Sequence, residues 1–100
     1  MDKIIYSILK ELDNNEDRLI KGEEIILPRA IDYNVSSEVY GKIIEKLEYE
    51  ELITASYTRA NGLPSLIFSM DITNDGKKYL KENSALGKLY RGLKEIKSFL

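Results

Sequence analysis

The sequence predicts an α+β protein of one domain spanning residues 1–100, a winged helix-turn-helix with an additional C-terminal amphipathic helix. Three observations carry that prediction. An amphipathic run opens the chain, with Ile4, Ile5, Ile8, Leu9 and Leu12 at the helical period. A second helical run follows the Ser-Ser pair at residues 36–37. Directly after it, two alternating segments at 52–58 and 66–72 flank an Asn-Gly dipeptide and form a hairpin. A chain of 100 residues buries roughly 60 to 70 percent of its unfolded surface, enough for one compact core.

In the first helix, Ile4, Ile5, Ile8, Leu9 and Leu12 make one buried stripe, and Lys3, Ser7, Lys10 and Glu11 face water. Asp13-Asn14-Asn15 ends it, because short polar side chains compete for backbone hydrogen bonds. The stretch "LIKGEEIILPRAIDY" at 19–33 holds a β-prone run, Ile25-Ile26-Leu27, stopped by Pro28. It predicts a brief strand or extended segment, then a short second helix starting at Pro28 and burying Ala30, Ile31 or Tyr33. Ser36 or Ser37 caps the third helix, with Glu38 near the positive end of its dipole. Val39, Tyr40, Ile43, Ile44 and Leu47 form its core stripe. The opposite face carries Glu38, Gly41, Lys42, Glu45, Glu48 and Tyr49.

In the hairpin, Ile53, Ala55 and Tyr57 share one face of the first strand, and Leu66, Phe68, Met70 and Ile72 share the core face of the second. "RANGLPS" between them predicts a loop several residues long, since Asn61-Gly62 accepts positive φ. Thr73 then caps another helix, with Asp75 in its first turn. Gly76, where a capping box would want Glu or Gln, points to a close backbone approach, with helix one as the candidate neighbour. Asn83 ends that helix and Ser84 caps the last one. The apolar stripe of the last helix is Leu86, Leu89, Tyr90, Leu93, Ile96 and Leu100, with Lys88, Arg91, Lys94 and Lys97 elsewhere on its surface.

The composition narrows the function. With no cysteine and no histidine, the chain has no disulfide, thiolate nucleophile, imidazole base or zinc site built on those ligands. The acidic residues fall at spacings suited to solvated faces, so the expectation is a non-enzymatic protein with no cofactor. The N-terminal apolar pattern is broken by Lys10 and Glu11 and makes neither a signal peptide nor a membrane span. A cytoplasmic protein with no membrane partner is expected. Residues 1–51 carry seven Lys/Arg and thirteen Asp/Glu, residues 52–100 eight and four. The acidic first half and basic second half make the latter the anion-facing side, and favour contact between copies or with a charged protein.

The blocks "YSILKEL" at 6–12, "ITNDGKKYLKENS" at 72–84 and "YRGLKEIKSFL" at 90–100 bracket nearly the whole chain. With them the chain resembles the YjcQ-like family, small winged-helix proteins of Gram-positive bacteria and their phages. The resemblance implies a winged-helix fold and a phage-related origin, and carries over no activity and no binding residues. Winged-helix regulators commonly end the recognition helix on a Gly-Leu-Ile step. Here the step is "EELI", with Glu51 in the glycine place, so Glu51 either avoids the left-handed conformation or bears strain.

The leading expectation is a DNA-binding or transcription-regulatory accessory protein, with duplex DNA as its partner. Recognition helices present their N-terminal residues to base edges. Ser36, Ser37 and Lys42 are therefore candidate donors, while Arg59, Asn61 and Arg29 are candidate phosphate contacts. Each also has a plainer role: Ser36 or Ser37 as a cap, Asn61 as a turn residue, Arg59 as an ordinary exposed cation. The solvent face of this helix bears three carboxylates and one ammonium, a poor match to phosphates. The alternative is a protein-interaction or dimerisation module on the same scaffold. Its candidate interface is Tyr49, with Leu93, Ile96, Phe99 and Leu100 for a homodimer through the C-terminal helix.

Overall fold

A computed structural model describes residues 2–85. It is an α+β arrangement: helix α1 (Asp2–Ile20), a 3-10 helix (Ala30–Tyr33), helix α2 (Ser37–Tyr49), an antiparallel hairpin of β1 (Ile53–Ala60) and β2 (Leu63–Ile72), and helix α3 (Asn74–Glu82). The anticipated C-terminal helix, with Leu93, Ile96, Phe99 and Leu100, lies outside the described residues. No described helix is long and apolar enough to cross a membrane.

The core gathers the stripe of α1 (Ile5, Ile8, Leu9, Leu12), that of α2 (Tyr40, Ile43, Ile44, Leu47), and Leu52, Ile53, Met70, Ile72 and Leu80. Both stripes follow the helical period read from sequence, but Ser7, expected to face water, is buried as well. At the edge of the α2 stripe, Val39 is exposed rather than buried. Burial of a side chain of this size stabilises the fold by roughly 1.5–3 kcal/mol, so the stripes hold the helices together.

Helix α1 does not stop at Asp13-Asn14-Asn15. It runs on to Ile20 and ends in a Schellman motif: Gly22, at φ +75°, and Glu23 donate backbone bonds to Leu19 and Arg18. Asn15 is 5% exposed, and its carboxamide finds partners outside the helix. Its Nδ2 donates to the Ile26 carbonyl at 2.8 Å, and its Oδ1 accepts from the Ile26 N–H at 3.1 Å and from Arg18 at 2.6 Å. With its hydrogen bonds spent on a segment eleven residues away, Asn15 does not compete for the backbone of its own helix.

Residues 23–29 belong to no helix and no ladder, so Ile25-Ile26-Leu27 is not a paired strand. The predicted second helix is a single 3-10 turn at Ala30–Tyr33, opened by Arg29 and Asp32 bonding each other's backbone (Arg29 N to Asp32 Oδ2 2.9 Å; Asp32 N to Arg29 O 3.0 Å). Ala30 and Tyr33 pack against the core, whereas Ile31 is exposed. The Tyr33 ring stacks on Tyr40 at 6.2 Å between centroids.

The hairpin departs from the sequence reading twice. Ala60 pairs with Leu63, so the loop is the two residues Asn61 and Gly62 (φ +54° and +79°) rather than a longer one. Both central φ values are positive, as the tight turn that matches strand twist demands. The register also shifts: Ser56 pairs with Ser69, but Tyr57 pairs with Ile67, leaving Phe68 unpaired. Ile67 therefore takes the core side, and Leu66 and Phe68 are exposed instead of buried.

Glu51 adopts φ +60° and bears the left-handed strain. Its neighbours lock it there. Leu52 N donates to Leu47 O at 3.0 Å, Thr73 Oγ1 donates to Glu51 O at 2.6 Å, and Thr73 N donates to Leu52 O at 3.1 Å. Thr73 also caps α3, accepting from Gly76 N at 3.0 Å. At Gly76 a Cβ would lie 2.3 Å from the Leu52 carbonyl oxygen and 2.6 Å from Ile72 Cγ1. The close neighbour is thus the start of β1 and the end of β2, not helix one.

Candidate functional site

Of the predicted site residues, Arg59 on the hairpin reaches α2. Gly41, expected on the solvent face of α2, is buried: its Cβ position lies 3.0 Å from the Pro64 carbonyl oxygen. That close approach lays the second strand on the helix, and side chains from the two elements then meet. Arg59 Nη1 reaches Glu45 Oε2 at 2.9 Å and the Gly62 carbonyl at 2.9 Å. Its guanidinium sits over the Tyr57 ring at 5.3 Å. Tyr57 Oη donates to Glu48 Oε1 at 2.5 Å. A chain of contacts Glu48–Tyr57–Arg59–Glu45 thus spans the helix and the hairpin.

The electrostatics of this surface follow from the pairs. The bond to Glu48, then partial burial, then the Glu48 charge raise the Tyr57 phenol above its ordinary range, with Arg59 opposing. The bond to Glu45, together with the Tyr57 contact, raises the Arg59 guanidinium further above its already high value. Lys42 lies 3.5 Å from Glu38 on the same helix, and Arg29 Nη2 lies 3.7 Å from Asp32 Oδ1. Each of the three candidate DNA-binding cations therefore has a carboxylate within salt-bridge distance. Ser36 is the cap of α2, its Oγ accepting from Val39 N at 3.1 Å, and Ser37 is the exposed first helical residue. Asn61 forms the turn. At the far end of α2, Tyr49 is 88% exposed.

Other polar groups are structural. Tyr40 donates its hydroxyl to the Pro28 carbonyl at 2.7 Å, and burial, with smaller effects from Tyr33 and Asp32, holds its phenol far above the ordinary range. Lys77 of α3 pairs with Glu16 of α1 at 2.6 Å, joining the basic and acidic halves within one chain. Among the described residues no group of three or more His, Cys, Asp or Glu side chains is placed to hold a metal ion.

Fold and surface together define a small α+β protein whose helix–hairpin face is built of internally paired charges. The chain belongs to the family described as YjcQ protein, which matches residues 6–99. It is 26% identical over 99 residues to the uncharacterized protein YjcQ of Bacillus subtilis (strain 168), a match covering 99% of this chain and 96% of that protein. No solved structure matches it.

Proposed function

We propose that the chain is a non-enzymatic winged-helix module that binds a protein partner through the face formed by α2 and the hairpin. The order α1, 3-10 turn, α2, hairpin supports that scaffold, since a helix-turn-helix followed by a wing runs in the same order. The observation that carries the choice of partner is the neutralisation of the candidate cations: Arg59 by Glu45, Lys42 by Glu38, Arg29 by Asp32. Duplex affinity draws on Lys and Arg released to phosphates, with about six or more in a typical contact set. A helix that offers Glu38, Glu45 and Glu48 against Lys42 and Lys46 repels a polyanion. A fully exposed Tyr49 suits a protein interface, where aromatic residues are enriched.

The second reading is a DNA-binding, transcription-regulatory accessory protein. It is favoured by the exposure of Ser37 and Lys42 in the early turns of α2 and by a hairpin whose Arg59 reaches that helix. Titration with a random-sequence duplex at falling salt separates the two. The first reading expects no binding. Binding that strengthens steeply and is lost in the Lys42→Ala, Arg59→Ala variant would establish the second.

A further inference from the structure

The segment between α1 and the 3-10 turn has one satisfied edge at Ile26 and, among the described residues, one open edge. The Asn15 carboxamide grips Ile26 as a neighbouring strand would, donating to its carbonyl and accepting from its N–H. In extended chain, successive residues turn their backbone groups to opposite edges. The planar peptides on either side of Ile26 therefore turn the Ile25 carbonyl and the Leu27 N–H to the other edge, and neither Ile25 nor Leu27 makes a backbone hydrogen bond to another described residue. The residues bounding them are already engaged: Glu23 N donates to Arg18 O at 2.8 Å, and Arg29 N donates to Asp32 at 2.9 Å. The side chains beside this edge are apolar and uncovered, Ile25 at 45% and Ile26 at 62% exposed. An edge held rigid from one side, with free backbone groups and exposed branched residues, is a template for strand addition.

We infer that this edge pairs with the same edge of a second copy, antiparallel about a two-fold axis at Ile26. The segment is self-complementary in that register. Ile25 of each copy exchanges backbone bonds with Leu27 of the other, so every free donor and acceptor of those two residues is used. Ile26 packs on its counterpart in a closely spaced, non-hydrogen-bonded pair. Glu23 faces Arg29 of the second copy, opposite charges across the ladder, and no Glu faces a Glu. The ladder ends at Glu23 and Arg29, whose N–H groups are taken within their own chain. Pro28, which has no N–H, falls on the Asn15 side and breaks nothing on the open edge. This pairing does not depend on which partner the α2–hairpin face takes.

The full chain should sediment as a dimer as its concentration rises, with the Ile25 and Leu27 amides becoming protected from hydrogen exchange over the same range. Arg29→Glu and Glu23→Arg should each shift the chain to monomer by placing like charges opposite, and the double variant should restore the dimer. Ile25→Pro, which removes a donor on the open edge and leaves the Asn15 grip in place, should abolish it. A monomer at every concentration would overturn the inference. So would a dimer whose Ile25 and Leu27 amides exchange freely, or protection independent of concentration, which would assign the edge to this chain's own residues 86–100.

Discussion

At the scale of single residues, the junction between α2 and α3 carries the strain. Glu51 sits at φ +60°, where a Cβ is unfavourable by about 1 kcal/mol and glycine is not. Glu51→Gly should therefore raise stability by roughly 0.5–1 kcal/mol, read as a higher midpoint in urea with an unchanged slope. The reverse holds at Gly76, whose missing side chain admits the Leu52 carbonyl. There the obstructing atom is backbone, pinned by the Thr73 N–H, and cannot swing aside. Gly76→Ala should destabilise by about 2 kcal/mol or more, as overpacking does when backbone must move. A Gly76→Ala chain with wild-type stability would refute that packing.

At the scale of elements, what could be read from sequence depended on whether the deciding partner was local. The stripes of α1 and α2, the caps Ser36 and Thr73, and the place of the hairpin turn at Asn61-Gly62, though not its two-residue length, were legible because periodicity and capping are properties of neighbouring residues. The true end of α1 was also legible in Arg18, Lys21 and Gly22, a basic last turn followed by glycine, but Asp13-Asn14-Asn15 gave an earlier stop signal. Only the bond from Asn15 to Ile26, across the chain reversal, removes it. The bulge at Phe68 left no local trace: strict alternation places Phe68 inward, and a one-residue shift turns it out. At the candidate site, Lys42–Glu38 and Arg29–Asp32 lie at helical spacing and could be anticipated. Arg59–Glu45 joins separate elements and could not. Two phenols link elements as well, Tyr40 to Pro28 and Tyr57 to Glu48. Both are raised in the folded chain, so above the ordinary phenol value near ~10 the folded state still holds protons that the unfolded state has lost. Stability should be constant with respect to these groups below that pH and fall as pH rises above it. Phenolate absorbance should show Tyr40 ionising only together with unfolding. Ionisation of Tyr40 in a chain that keeps its native circular dichroism would contradict its burial and its bond to Pro28.

At the scale of the molecule, the opposed charges of the two halves are partly spent internally. Lys77 holds Glu16, and among the described residues of the α2–hairpin face the cations Lys42 and Arg59 each have a carboxylate partner. Surface pairs of this kind stabilise by roughly 0–1 kcal/mol, so their consequence here is for recognition more than for folding. The winged-helix arrangement proposed here suggests nucleic acid by analogy, but the residues on the face decide what it binds. The measurement that bears on this most directly is the affinity of the purified chain for a random-sequence duplex as salt is lowered from physiological levels. No binding is expected at any salt concentration. A logarithmic affinity that climbs with falling salt at a slope of about −5 or steeper, the release expected from six or more neutralised phosphates, would contradict it and return this face to DNA.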